Sequence, residues 1–406
     1  MTLSTLNYTL GVPDDPEYHR AEAALSGEEL IRVRRHLHSH PELSGLEIET
    51  TSYIVRYLSL HGLPFRLGPG GVGVISDLAY IGSPDLPIIA LRADMDALPI
   101  QEENETPDRS QNPGVMHACG HDAHMTMLMG ALTALGAMSP SSRRCRGIFQ
   151  SSEETGQGAL DMVHAGVMEG VRAIVALHVD PNLTCGSVAI SSGPQTACCQ
   201  DFSILVKGKG GHAARPHLTI DPIATAAQLV TLIYQMIPRG TDMNHPAVVT
   251  VGEFLGGSCT NVIPDRSSLR GTLRALTLQA ANSTRQRLKE LCAGMALSSK
   301  AEITITFERQ LPGVVNDPFV TEACLGAARA VIGEKMVTEA SPSMGAEDFA
   351  DYLTEAPGCM IRLGVKAKGG EIRALHTPTF DLAEESLLIG TKILLGSFLN
   401  LCKSIS

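Results

Sequence analysis

The sequence predicts an α/β protein of two domains. One domain is built on a mainly parallel sheet, and a ferredoxin-like α+β domain is inserted into it. Three observations carry that expectation. Short apolar strand patterns alternate with helical patterns through the first two hundred residues. Between 198 and 309 the order becomes strand, helix, strand, strand, helix, strand. After 310 the α/β alternation resumes, so 1–197 and 310–406 read as one discontinuous domain and 198–309 as the insertion. A chain of 406 residues is long enough for both.

The elements follow in order. Ser26-Gly-Glu-Glu29 is a capping box, and Leu30, Val33 and Leu37 recur behind it at helical spacing until Pro41. A second helix is expected from about 47 to 60, ending at Gly62. Residues 87–92 form a short apolar run suited to a buried strand, with Asp94 and Asp96 beyond it. Helix 122–137, strand 146–151, helix 158–169 and strand 172–178 come next, and Glu153-Glu154 lie just past the second of these. The insertion holds strand 201–207, helix 221–237, strands 247–254 and 266–274, helix 277–297 and strand 301–307. Helices 317–332 and 346–354, strand 359–364 and helix 382–400 close the chain. The first twenty residues read as a polar, poorly ordered arm.

Composition narrows the function. Hydrophobic residues make up 44% and charged residues 18%, the balance of a globular chain. The net charge of −11 and the lack of a long basic run argue against nucleic acid as a partner. No stretch reads as a membrane span, and the N-terminus lacks the charged-then-apolar pattern of a signal peptide. Ten irregularly spaced cysteines do not form a disulfide framework and suit reduced thiols in the cytoplasm.

His117-Ala-Cys119-Gly-His121-Asp122 is the most informative stretch. A thiol and an imidazole two residues apart can reach one ion or two adjacent ions. The acid pair Asp94/Asp96 stands before it and Glu153/Glu154 after it. All three clusters follow apolar strands, and in parallel sheets ligands gather outside the carboxyl ends of strands. The pattern points to one shared site for metal-assisted hydrolysis rather than a structural zinc knot. Zn, Mn, Co and Ni all suit such donors.

Seven segments in order resemble the metal-dependent aminoacylase and carboxypeptidase superfamily, on its amidohydrolase branch of N-acyl-amino-acid amidohydrolases, hippurate hydrolases and indole-acetyl-amino-acid hydrolases. They are Arg92-Ala-Asp-Met-Asp-Ala-Leu-Pro-Ile100, Met116-His-Ala-Cys-Gly-His-Asp122, Gly210-Gly-His-Ala-Ala-Arg-Pro-His217, Asn261-Val-Ile-Pro-Asp265, Gly271-Thr-Leu-Arg274, Met344-Gly-Ala-Glu-Asp-Phe349 and Leu375-His376-Thr-Pro378. The resemblance implies two divalent metal ions per subunit, held by Cys119, His121, Glu154, His178 and His376. It implies Glu153 as general base and Asp96 as the acid that orients a ligand. Asp94 stands where more distant relatives carry a ligand histidine, a duty the cysteine motif takes over here. His212 is implied to reach the catalytic site of a partner subunit and steady the oxyanion, which makes the insertion a lid and dimerisation domain in a homodimer or higher homo-oligomer. Asn261 and Arg274 are implied to bind substrate polar groups or its carboxylate. Where relatives read Gln-Pro-Ala-Glu-Glu, this chain reads Gln150-Ser151-Ser152-Glu153-Glu154.

Taken alone, several of these residues have plainer readings. An isolated Glu-Glu is a solvated acidic turn, and His178 at the end of an apolar strand is equally a satisfied core histidine. His376 rests wholly on the resemblance. His117 and His124 are expected behind the ligands or on the helix surface. His36, His38 and His40 are expected on a solvated or packed helix face, and His217 against the following helix. The expected activity is cleavage of N-acyl amino acids, or a short peptide, to a carboxylate and a free amino acid. The rivals are a dipeptidase or carboxypeptidase of the same fold and a catalytically silent metal-binding or interaction protein.

Overall fold

The computed structural model describes residues 16–79, 86–138 and 144–405. The chain divides into two compact units. The first comprises 1–193, 315–341 and 348–406, and the second 194–314 with 342–347.

The first unit holds an eight-stranded sheet among the described residues. Its strands are β1 (Arg66–Leu67), β2 (Val74–Ala79), β3 (Ile88–Asp94), β4 (Arg144–Gln150), β5 (Val171–Thr184), β6 (Val188–Ala189), β7 (Val337–Thr338) and β8 (Gly358–Lys366), in the order β1-β2-β4-β3-β5-β8-β6-β7. The central neighbours β4–β3, β3–β5 and β5–β8 run parallel. The pairs β1–β2, β2–β4 and β8–β6 are antiparallel. Every residue of β3 is buried, which fits an unbroken apolar run covered on both faces. Strand β2 was not foreseen. It follows a Pro-Gly-Gly turn and lies against β4.

Helices α1 (Pro16–Ala23), α2 (Gly27–Ser39), α3 (Ile48–Leu60), α4 (His121–Gly136), α5 (Gly158–His164), α6 (Pro318–Ile332), α7 (Phe349–Tyr352) and α8 (Glu385–Ser404) surround this sheet in the chain. The Ser26 hydroxyl accepts the Glu29 N–H, so the expected cap forms. Of the expected N-terminal arm, residues 1–15 lie outside the described residues, while α1 is helical and Lys392 of α8 pairs with its Glu22 at 2.8 Å. Helix α8 is long and apolar enough to cross a membrane by length and composition, yet 72% of its apolar window is buried, and it packs on α4 and α6 as a core helix.

Strand β3 runs on to include Asp94, expected just beyond it, and three other boundary differences bear on the fold. Helix α5 stops at His164 because Gly166 and Gly170 take left-handed turns before β5. Strand β5 continues to Thr184, so His178 lies within it rather than at its end. The helix expected over 346–354 shrinks to α7. Asp348, just before it, accepts from Arg92, Gln150 and the Ala159 N–H, and these bonds fix the local backbone.

The second unit holds a four-stranded antiparallel sheet in the order Ala247–Gly256, Arg266–Ala275, Cys198–Lys207, Glu302–Phe307. Numbered along the chain this is 2-3-1-4, the arrangement of a split βαβ unit. Burial alternates along Cys198–Lys207, as expected of a sheet covered on one face. Helices Pro222–Gly240 and Leu278–Ser299 supply that cover. Leu229, Ile233 and Leu288 pack with Phe202, Ile204, Leu269 and Leu273. Asp221 and Thr277 cap the two helices.

Candidate active site

The site begins where β3 and β4 end side by side. Asp94 is the last residue of β3 and pairs with Gln150, the last of β4. Asp96 follows the first strand and the Ser152–Glu154 turn follows the second. The third contributor is the start of α4. Gly120 caps that helix at φ 83°, and a Cβ there would collide with Val179 of β5. Only glycine allows the Cys119–His121 turn to sit against the sheet this closely.

Asp96 ties these pieces together. Its Oδ1 accepts the Glu153 N–H at 3.1 Å and its Oδ2 accepts the Glu154 N–H at 2.9 Å and the Ser44 hydroxyl at 2.7 Å. Its backbone carbonyl accepts from His121 Nδ1 at 2.8 Å. Burial pushes the Asp96 carboxyl up, but the bonds from His121, Ser44 and Glu154 outweigh it and hold the pKa below the ordinary range. Asp96 is thus an ionised anchor for both flanking turns.

The donor atoms converge in front of it. Cys119 Sγ lies 3.6 Å from His178 Nε2 and 3.3 Å from His376 Nε2. Glu154 Oε1 lies 3.5 Å from His376 Nε2 and 4.0 Å from His121 Nε2. Glu153 Oε2 is also 4.0 Å from His121 Nε2. His178 spends Nδ1 on the Val179 carbonyl at 2.8 Å, so its Nε2 faces the thiol. His376 holds a left-handed backbone at φ 59°, fixed by its N–H on the Ala118 carbonyl at 2.8 Å. Cys119 with His121 and His178, and Cys119 with Glu154 and His376, each bring their ligand atoms within 4.8 Å of one another.

These donors fit divalent metal. His121 Nε2 and Glu154 Oε1 are buried without a hydrogen-bond partner. Buried lone pairs facing one another are costly unless a cation or a donor satisfies them. Burial pushes the Cys119 thiol far up, against the pull of His121, so a thiolate here needs a strong positive charge beside it.

Behind the donors lies a second layer, the place that one of the two readings gave His117 and His124. His124 is buried, not on a helix surface. It gives Nδ1–H to Asp94 Oδ1 at 2.6 Å and accepts the Val179 N–H on Nε2 at 3.0 Å. Burial lowers its pKa to about 4, which keeps the ring neutral as both bonds require. Asp94 also takes Arg92 Nη1 at 2.7 Å, so its oxygens are occupied, and its Oδ2 is 3.7 Å from His121 Nε2. Burial works against the Asp94 charge, but His121, His124 and Arg92 hold its pKa well below the ordinary value. His117 is likewise buried, and burial lowers its pKa to about 4. The sequence signals for this layer were the histidines flanking the Cys119-Gly-His121 motif and the polar run Arg92-Ala-Asp94 ending an apolar strand.

His212, Asn261 and Arg274 belong to the second unit. His212 pairs with Val262 across a short ladder, and the Ala213 N–H donates to the Asn261 carbonyl at 3.1 Å, which makes His212 and Asn261 neighbours. Arg274 donates to the Met344 carbonyl at 3.0 Å. His217 is exposed rather than packed on the following helix, because Pro216–Leu218 forms a separate turn.

Comparison with known proteins agrees with this chemistry. The sequence profile of the peptidase family M20/M25/M40 matches residues 90–400. An N-acetylcysteine deacetylase of Bacillus subtilis is 37% identical over 366 residues, covering 89% of this chain and 94% of that protein. An IAA-amino acid hydrolase (ILR1-like 4) of Arabidopsis thaliana is 35% identical over 373 residues, 90% of this chain and 83% of the relative. The crystal structure of a Bacillus subtilis protein described as a dinuclear metal binding peptidase from the M20 family aligns with a TM-score of 0.82 at 34% identity, over 93% of this chain and 98% of that one.

Proposed function

The chain belongs to peptidase family M20/M25/M40, and from that premise we propose how it works as a metal-dependent amidohydrolase that splits N-acyl amino acids into a carboxylate and a free amino acid. The observation that carries this reading is the convergence of one thiol, three imidazole nitrogens and one carboxylate whose lone pairs face a common space. Cys119, His121 and His178 would hold one divalent ion, and Glu154 and His376, with Cys119 between the groups, a second. Two such ions, for which Zn, Mn, Co and Ni are all suitable, supply Lewis-acid polarisation of the amide carbonyl and acidify water.

The chain's own residues supply the rest. Glu153 takes the proton of the attacking water and passes it to the leaving amine. Asp96 keeps Glu153 and Glu154 in register through their backbone N–H groups and holds the His121 ring by its carbonyl. His124 and Arg92 hold Asp94 in its charged form beside them. His212 and Asn261, adjacent in the second unit, serve the oxyanion and the substrate's polar groups, and Arg274 its carboxylate. The enzyme works as a homodimer in which His212 serves the partner's site. Ten cysteines without disulfide spacing suit the cytoplasm.

The deciding experiment is hydrolysis of a panel of N-acyl amino acids and dipeptides before and after chelation, with metal content followed by elemental analysis. Activity is expected to vanish with the metal, to return on adding a divalent transition metal, and to favour acyl amino acids. Full activity of metal-free protein would sink the reading, and a preference for dipeptides would replace it with the dipeptidase. Mixing His212→Ala and Glu153→Gln chains in equal amounts tests the partner arrangement. About a quarter of wild-type activity should return, since half the dimers are mixed and each then has one complete site.

A further inference from the structure

Three successive backbone N–H groups, those of Ser152, Glu153 and Glu154, are captured by two carboxylates from distant segments. Asp96 takes the last two, and Glu47 Oε1 takes the Ser152 N–H at 2.9 Å. Consecutive N–H groups in a left-handed-then-helical turn form a concavity that favours anions. Ser152 supplies the left-handed step at φ 59°, ψ 38°, a conformation that non-glycine residues adopt at a cost. Something must hold it there, and Glu47 is placed to do so.

The backbone around Glu47 is held firmly, while Glu47 Oε2 is buried without a hydrogen-bond partner. The residue is fully buried and stands at the N-terminus of α3. The segment before it is fastened to the site. Leu43 bridges Ala97, the Ala97 N–H donates to the Glu42 carbonyl at 2.8 Å, and Ser44 donates to Asp96. The Glu42 carboxylate accepts the Glu49 and Thr50 N–H groups at 3.2 and 2.8 Å, fixing the first turn of α3. Residues 42–50 therefore form a brace that touches both Asp96 and the turn bearing Glu153 and Glu154, yet Glu47 is not among the clustered metal donors.

We propose that Glu47 is a positioning residue for amide hydrolysis: by accepting the Ser152 N–H it keeps Ser152 left-handed and thereby sets the direction of Glu153 and Glu154. The proposal rests on reading Glu153 as the proton carrier and Glu154 as a metal ligand. A displacement of about 1 Å at such groups can cost on the order of 100-fold in rate.

The test compares Glu47→Gln with Glu47→Met, two side chains of similar length of which only the first offers an acceptor oxygen. Steady-state kinetics on the best N-acyl amino acid and zinc affinity by competition with a chelator are read together. Glu47→Gln should stay within about threefold of wild type, because the N–H still finds an acceptor. Glu47→Met should lose about 10–100-fold in kcat with KM little changed, and bind zinc more weakly, since both glutamates move. Adding Ser152→Gly to Glu47→Met should recover much of the loss, because glycine enters the left-handed region freely. A role in packing alone would give no such rescue.

Wild-type kcat in Glu47→Met, equal damage in Glu47→Gln and Glu47→Met, or failure of the Ser152→Gly rescue would each overturn the proposal. If Glu47→Met does not fold, Ser152→Val, which disfavours the left-handed backbone and leaves Glu47 intact, must reproduce the kcat loss, and full activity there refutes it. Glu153→Gln measured alongside separates the two readings. Its retained activity defeats the underlying mechanism, whereas an inactive Glu153→Gln beside an active Glu47→Met defeats only the positioning role.

Discussion

Two clusters of histidines and acids meet at the start of α4, one on each side of the His121-Asp122 step, and they are built to opposite rules. In the first, His121 Nε2 and Glu154 Oε1 have no hydrogen-bond partner, and Cys119, His178 and His376 turn their donor atoms toward the same place. In the second, Arg34 gives Nε–H to Asp122 at 2.9 Å and Nη1–H to Asp108 at 3.0 Å. His38 there spans Asp122 at 2.8 Å and Glu102 at 3.2 Å. Glu102 also accepts from Asn104 and the Ser110 N–H. The residue types are nearly the same. What differs is the source of positive charge, which the closed network carries in its own guanidinium and imidazole and the open cluster must take from outside. Asp122 Oδ1 in the closed network is also without a hydrogen-bond partner, so a single unspent lone pair does not mark a metal centre; several donor atoms converging with no guanidinium among them do.

The largest expected effect tests the open cluster. Glu153→Gln should lose about 10²–10⁴-fold or more in turnover while keeping its metal, because on the proposed mechanism it removes the proton carrier and no ligand. Glu154→Gln should instead lower metal occupancy, measured by elemental analysis after dialysis. Reversed phenotypes would mean that base and ligand are exchanged. The next effect sharpens the contrast. Arg34→Met leaves buried Asp122 without its main countercharge and should cost about 3–5 kcal/mol in urea unfolding, with metal stoichiometry intact in the folded protein. Cys119→Ser should do the opposite, emptying the metal site with little change in the stability of the metal-free chain. If Arg34→Met strips the metal or Cys119→Ser unfolds the protein, the two clusters are one unit and the comparison fails.

Much of this was legible in the chain. The Cys119-Gly120-His121 spacing, the acids at and just past the ends of β3 and β4 and the βαββαβ order of the insertion all follow from local pattern. The rest depended on long-range contacts. His376 reaches Cys119 across 257 residues from a loop with no periodic signal. Asp348 joins Arg92 and Gln150 from a stretch that reads as helix. Of the two places expected for His124, behind the ligands or on a helix surface, the structure shows the first; periodicity could not choose, because nearly all of α4, from His121 to Leu135, is buried and the helix has no polar face. His38 shows the same difficulty from the other side. Among His36, His38 and His40, only His38 enters the charge network. His36 stacks between His40 and Tyr53 at centroid distances of 4.5 and 4.2 Å. Glu47 gave no signal beyond its place ahead of a helix.

The smallest expected effect concerns protons rather than metal. Burial and the Arg34 charge push the His38 pKa down, but Asp122 and Glu102 outweigh them and raise it above the ordinary value of 6.5. Below pH 6.5 the folded and unfolded chains both hold this proton, and the His38 contribution to stability is fully present. As the pH rises past that value the unfolded chain releases its proton first, so the contribution declines until the folded pKa is passed. Urea unfolding of wild type and His38→Gln from acid to alkaline pH, with chelator present to remove metal linkage, reads this directly. The advantage of wild type over the variant should be greatest in acid and shrink above about pH 6.5. An advantage that grows with pH would mean His38 is held neutral, and the closed network would then depend on Arg34 alone for its positive charge. A shrinking advantage would show that a proton, shared between His38 and two carboxylates, balances this cluster as divalent cations are proposed to balance its neighbour.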